Sequence, residues 1–223
     1  VPRDIDFATV ASVAAGIWTH PPASSYIAIT ELQAGHVLTW RPGSAPVVRS
    51  FWRPPDTMAS RRQPLEPAAA ELRALLTDAV RERLAPSGTT AVSLSGGWDS
   101  TAVYGIAQSV VRGDDTRRVH GVSISYPVGD PGREDEFIGE VTGFWGASPD
   151  LIDVDTIPLL LDAEANAAAR THPFAHTYEQ WNRALSRRAR AADARVILDG
   201  FGGDQLFQVS GVYLAELFRS GQW

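Results

Sequence analysis

Ser93-Leu94-Ser95-Gly96-Gly97-Trp98-Asp99-Ser100-Thr101 is the stretch that decides the fold. Ala91 to Leu94 is short and apolar, the pattern of a buried strand, and Thr101–Val111 reads as an apolar helix. Between them the chain turns on two glycines and two serines. Gly96 and Gly97 let a ligand come close to the main chain, Ser95 and Ser100 offer hydroxyls, and the helix start aims free N–H groups at the same spot. That arrangement suits a pyrophosphate. A GxxxxGK[ST] loop is excluded, because it needs a Lys and all 20 basic residues here are Arg.

Working outward, strand and helix patterns alternate. Val119–Tyr126, Leu151–Val154 and Arg195–Leu198 read as strands, and Glu134–Trp145, Ile157–Ala169 and Tyr178–Ala192 as helices. Upstream, Leu72, Leu75, Leu76, Ala79, Val80 and Leu84 recur at helical spacing behind Pro67. This alternation predicts an α/β fold built on a doubly wound parallel sheet, spanning residues 66–223. Residues 1–52 read as a smaller α/β piece, with a helix over Asp6–Trp18 and strands over Tyr26–Ile29, His36–Trp40 and Val47–Trp52. Trp18, Trp40 and Trp52 are its expected core, and the Pro-rich, polar residues 53–65 are the expected linker.

A second glycine-rich turn follows the last strand: Asp199-Gly200-Phe201-Gly202-Gly203-Asp204-Gln205-Leu206-Phe207. Ligands of open α/β sheets gather beyond the carboxyl ends of strands, so the two turns are expected to face one site. Asp99 and Asp204 are the candidate catalytic pair. Together they could hold a Mg2+ ion that also binds phosphate oxygens, since that ion prefers hard oxygen ligands.

Composition narrows the classes. The 223 residues are 44 % hydrophobic and 21 % charged, as in ordinary globular proteins. With no Cys, disulfides, thiolate zinc sites and a Cys nucleophile are excluded within the sequence. A net charge of −6 argues against nucleic acid as a partner. No apolar run reaches the ~18 residues of a membrane span, and Val1-Pro2-Arg3-Asp4 has no signal-peptide character, so a cytoplasmic location is expected.

SGGWDS resembles the pyrophosphate loop of the ATP pyrophosphatases, and with DGFGGDQLF it resembles the synthetase domain of the asparagine synthetase family. That family includes β-lactam synthetases and the cyclases that close lasso peptides. Val122-Ser123-Ile124-Ser125 is similar to its adenine-contacting strand, and Arg133-Glu134-Asp135-Glu136-Phe137 to the acidic helix start behind it. Glu31–His36 and Phe51–Pro54 resemble the end of its glutaminase-like amino-terminal domain. The resemblance implies ATP and Mg2+ as cofactors and an AMP-forming, amide-making reaction. It implies phosphate contacts at Ser95, Gly96, Gly97, Asp99 and Ser100, nucleoside contacts at Ser93, Val122, Asp199 and Gly200, and metal ligation by Asp99 and Asp204. It also implies a partial chain, with the family's Cys nucleophile and catalytic Lys lying outside it.

Departures from the family pattern shape the functional expectation. Asparagine synthetases carry a Glu, and β-lactam synthetases a Tyr, where Phe201 stands. Asp199 replaces a Ser and Gln205 a Glu. Phe201 can neither take a proton nor anchor an acid–base pair, which favours a lasso-peptide macrolactam cyclase over synthesis of asparagine. The expected partners are then a small-molecule or peptide carboxylate, a precursor peptide, and an accessory protease or leader-binding protein. A non-catalytic nucleotide-binding paralogue is disfavoured by the retained acids, and a tRNA-thiolating enzyme by the absence of Cys. His172 and His176 have metal-ligand spacing, but Pro173 breaks the helix they would need. Arg183, Arg187, Arg188 and Arg190 read as a solvated helix face, with an acidic docking partner as the other reading, and Trp98 as a packing residue.

Overall fold

A computed structural model describes residues 4–17, 24–53, 64–169, 178–207, 213–219 and 221. The pair His172 and His176 lies outside these residues, as does Trp18. The chain divides into two compact units, Val1–Arg62 with Leu159–Glu179, and Gln63–Pro158 with Gln180–Trp223.

In the first unit, helix α1 (Phe7–Ala14) starts where Asp6 caps it, the carboxylate accepting from the N–H groups of Ala8 and Thr9 at 3.0 and 3.2 Å. Strands β1 (His36–Thr39) and β2 (Val47–Ser50) form an antiparallel hairpin with His36 opposite Ser50. The expected strand at Tyr26–Ile29 is reduced to one bridge between Tyr26 and Ile5. Trp40 and Trp52 are 60 % and 59 % exposed, so neither is a core residue among the described residues; a two-stranded hairpin by itself offers little cover for such side chains.

The second unit carries the larger fold. Helix α2 (Leu65–Arg83) leads into β3 (Gly88–Ser93), α3 (Trp98–Val111), β4 (Arg117–Ser125), α4 (Asp135–Phe144) and β5 (Asp150–Asp153). Helix α5 (Ala163–Ala168) belongs to the first unit; α6 (Glu179–Ala191), β6 (Ala194–Leu198), α7 (Gly203–Phe207) and α8 (Tyr213–Arg219) follow. The four strands are parallel, in the order β5-β4-β3-β6. This is the expected α/β parallel sheet.

Alternation along β3 explains why helices cover both faces. Val92 and Leu94 point to one side and pack with Val80 and Leu84 near the end of α2, Tyr104, Ala107 and Val111 of α3, and Ile138 of α4. Ala91 points to the other, with Val122, Ile152, Ile157 and the α6 residues Ala184, Leu185 and Ala189. Parallel strands buried on both faces read as the continuous apolar runs seen in the sequence. Only the carboxyl end of the α2 stripe is buried, since Leu72 and Leu75 remain exposed.

The expected helix over Ile157–Ala169 begins later than its pattern suggests. Ile157 precedes Pro158, is extended (φ −124, ψ 89) and buries its side chain in the second core. Helix formation waits until Ala163.

Candidate active site

Strand order places the site. From β3 the chain steps through β4 to β5 on one side, then crosses to β6 on the other side of β3. The carboxyl ends of β3 and β6 therefore flank a topological switch point, the crevice where such sheets take their ligands. Both glycine-rich turns leave these two strand ends.

The first turn is held by its own hydroxyls. Leu94 N–H still follows the sheet and donates to Val122 O at 2.9 Å, after which the chain breaks away. Ser100 Oγ accepts from Ser95 N–H at 3.0 Å and lies 2.8 Å from Ser95 Oγ. Gly96 has φ +80, and a Cβ there would lie 2.9 Å from Glu134 Cβ. Only glycine satisfies both the left-handed backbone and that contact. Gly97 then caps α3, whose first N–H groups have no partner within the helix.

The second turn closes onto the first. Asp199 Oδ1 accepts from Phe201 N–H at 3.1 Å, turning the chain immediately after β6. A Cβ on Gly200 would lie 2.6 Å from Ser100 N, and one on Gly203 would lie 2.0 Å from Asp99 Oδ2. The Asp99 carboxylate thus rests on the backbone one residue before Asp204.

A third loop completes the surroundings. At the end of β4, Ser125 Oγ donates to Asp135 Oδ2 at 2.6 Å. Arg133 reaches the same oxygen at 2.7 Å and donates to Tyr126 O at 2.6 Å. Asp135 Oδ1 is buried with no partner. This network ties the expected adenine strand to the acidic helix start, whose Glu134 lies against Gly96 of the first turn.

Most of the site residues read from sequence converge. Ser95, Gly96, Gly97, Asp99 and Ser100 share one turn, which Gly200 and Gly203 meet directly. Ser93 ends β3, opposite Val122 in the ladder. The Val122 side chain is fully buried in the second core, and its carbonyl accepts from Leu94 N–H. Trp98 is no packing residue: at the first position of α3 it is 94 % exposed, because the helix turns it away from the sheet. Sequence reasoning missed the approach of Glu134 to Gly96, which depends on how α4 is placed against the turn after β3.

Asp99 and Asp204 are the acids that would hold a Mg2+ ion. That ion is bound by one or two carboxylates together with substrate phosphates, not by an all-protein cage. Among the described residues no group of three or more metal-ligating side chains exists, while the glycine at 203, next to Asp204 in the sequence, leaves room for the Asp99 carboxylate.

Residues 71–223 match the asparagine synthase family. The chain belongs to the asparagine synthase family. Among curated proteins, this asparagine synthase-family chain is 24 % identical to Amidase chyE of Penicillium rubens over 90 % of its length, and 23 % identical to Amidase chry2 of Gibberella zeae over 85 %. It spans 31 % and 30 % of those two relatives, about a third of their length. Among solved structures, it is similar to the U34-tRNA thiolase NcsA of Methanococcus maripaludis, with a TM-score of 0.46 and 14 % identity over 68 % of this chain and 52 % of that one. It is also similar to NAD+ synthetase of Burkholderia pseudomallei, with a TM-score of 0.35 and 15 % identity over 71 % of this chain and 75 % of that one. No helix among the described residues is long and apolar enough to cross a membrane.

Proposed function

We propose that the chain is the nucleotide-activating part of an ATP-dependent, AMP-forming ligase that makes an amide bond. The observation that carries this reading is the contact of Asp99 with Gly203, which joins a phosphate-type turn to a second acid-bearing turn at the switch point. Membership of the asparagine synthase family supports it, and the name amidase on both fungal relatives agrees with amide chemistry.

In this reading a substrate carboxylate oxygen attacks the α-phosphorus of ATP. The bond between the α-phosphorus and the α–β bridging oxygen breaks, so that pyrophosphate leaves as the acyl-adenylate forms. An amine then attacks the acyl carbon, AMP departs with the former carboxylate oxygen, and the amine loses a proton. The backbone N–H groups at Gly96, Gly97 and the start of α3, with the Ser95 hydroxyl, bind the leaving pyrophosphate. Ser100 holds Ser95 in place, and Gly200 keeps the second turn close against it. Asp99 and Asp204 would hold Mg2+, which neutralises charge on the phosphates when bound. Ser93, the Val122 backbone and Asp199 border the nucleoside.

We further infer that the amide is a macrolactam within a precursor peptide, with an accessory protease or leader-binding protein as partner, acting in the cytoplasm. Phe201 supports this, since a side chain that handles no proton suits an amine supplied by the substrate peptide itself. The first step is tested with 18O-labelled carboxylate, which should leave one labelled oxygen in AMP. The finer reading predicts that a precursor peptide loses one water on reaction, measured by mass spectrometry. An unlabelled AMP pool would overturn adenylation, and an unchanged peptide mass would overturn cyclisation alone.

A further inference from the structure

Strand β6 pairs with β3 on one side, and among the described residues no strand lies on its other side. Such an edge presents unpaired N–H and C=O groups that another extended chain can complete. A groove of about 520 Å3 runs between α6 and residues 194–197 of this strand. Successive strand residues point to opposite faces of a sheet, so a groove that meets all of them reaches them from the edge. Ala189, Val196 and Ile197 give it an apolar floor, and Ile197 is 40 % exposed.

The charges on its walls are mostly of one sign. Arg187 and Arg190, three residues apart on α6, and Arg195 of β6 all line the groove, with Asp193 as the acid among its lining residues. None of the three arginine side chains has an ion pair or hydrogen bond among the described residues, whereas Arg188 on the same helix reaches Asp150 at 3.5 Å. A solvated helix face accounts for Arg187 and Arg190, but Arg195 arrives from the strand. A second copy of this chain would bring the same arginines to the edge and be repelled. A nucleic acid would satisfy the charges, yet it has no peptide backbone to pair with β6.

We propose that this groove docks an extended, acidic segment of a partner polypeptide, which adds as a strand along the free edge of β6 while its carboxylates pair with Arg187, Arg190 and Arg195. Backbone pairing supplies affinity, and the arginines select for acidic side chains. The docking does not depend on which reaction the chain performs.

The test uses the full-length polypeptide and a fluorescent peptide of alternating Glu and Val, long enough to cover the five residues of β6, with binding read by anisotropy. Replacing every Glu of the peptide by Gln should weaken binding at least ~10-fold, a change of about 1.4 kcal/mol. Methylating alternate backbone nitrogens of the peptide should weaken it as much, since a strand cannot pair through a methylated nitrogen. In the protein, Arg187→Glu with Arg195→Glu should cause a similar loss with an unchanged circular dichroism spectrum, whereas Arg41→Glu, on an exposed turn of the first unit, should have little effect. No binding of the acidic peptide, equal binding of its Gln form, or full binding by the double variant would overturn the proposal. Full binding of the methylated peptide would also overturn it, leaving a charged patch without strand addition. Tighter binding of a labelled single-stranded oligonucleotide than of the peptide would overturn it in favour of nucleic acid.

Discussion

The carboxylate of Asp99 rests on the backbone of Gly203, so closely that a Cβ at that glycine would stand 2.0 Å from Asp99 Oδ2. Residues on two turns, far apart in the chain, are thereby locked at the carboxyl ends of neighbouring strands β3 and β6. The contact leaves no room for a side chain at 203 unless the Asp99 carboxylate moves, whereas a Cβ at Gly200 would meet the backbone itself, 2.6 Å from Ser100 N. It also brings the Asp99 carboxylate to the residue that precedes Asp204 in the chain.

Gly203→Ala should therefore push the Asp99 carboxylate out of place while leaving the two cores intact. A displacement of about 1 Å at such a site costs about 10²-fold in rate. Circular dichroism should match the parent, and kcat/KM of the full-length enzyme should fall by about that factor.

Asp99→Asn and Asp204→Asn should each disable nucleotide activation, and the double variant should be little worse than either. Groups that act as one unit are not additive. Pyrophosphate exchange measured across Mg2+ concentrations checks this. Additive losses, or Asp204→Asn with normal metal dependence, would separate the two acids.

Ser100 is 95 % buried and accepts the Ser95 N–H. Ser100→Ala leaves that donor to water, since Ser95 is exposed, and costs about 0.5–1.5 kcal/mol, the net worth of one hydrogen bond. Thermal unfolding should shift down by several degrees, with a larger loss in pyrophosphate exchange because Ser95 is no longer fixed.

Acid titration offers a check away from the site. The Thr116 hydroxyl, the Arg117 guanidinium and the Thr116 N–H hold the Asp114 carboxyl down to about 2 from its usual 3.8. A carboxyl lowered on folding stabilises the fold above its unfolded value, and that stability is lost as pH falls from about 4 towards 2. Asp114→Asn should flatten this part of the stability–pH curve and leave its neutral region with the same shape.

How far the sequence could be read depended on how local each signal was. The strand at β3 and its turn were legible because apolar run, glycines and helix start are contiguous. Facing of the two turns followed from the rule on strand ends, given an alternating pattern. Exposure was harder to read. Trp98, Trp40 and Trp52 were expected inside because of their type, yet burial depends on a second layer that side-chain identity does not reveal. The Ile157–Ala169 pattern also misled, since Ile157 serves the core from an extended backbone ahead of Pro158. The approach of Glu134 to Gly96 needed the relative placement of β3 and α4, which periodicity cannot supply.

The most direct measurement is the nucleotide product of the full-length enzyme, followed with labelled ATP alongside amide formation. The account predicts one AMP and one pyrophosphate for each amide formed, with both lost in Asp99→Asn. ADP and inorganic phosphate appearing in step with the amide would contradict it.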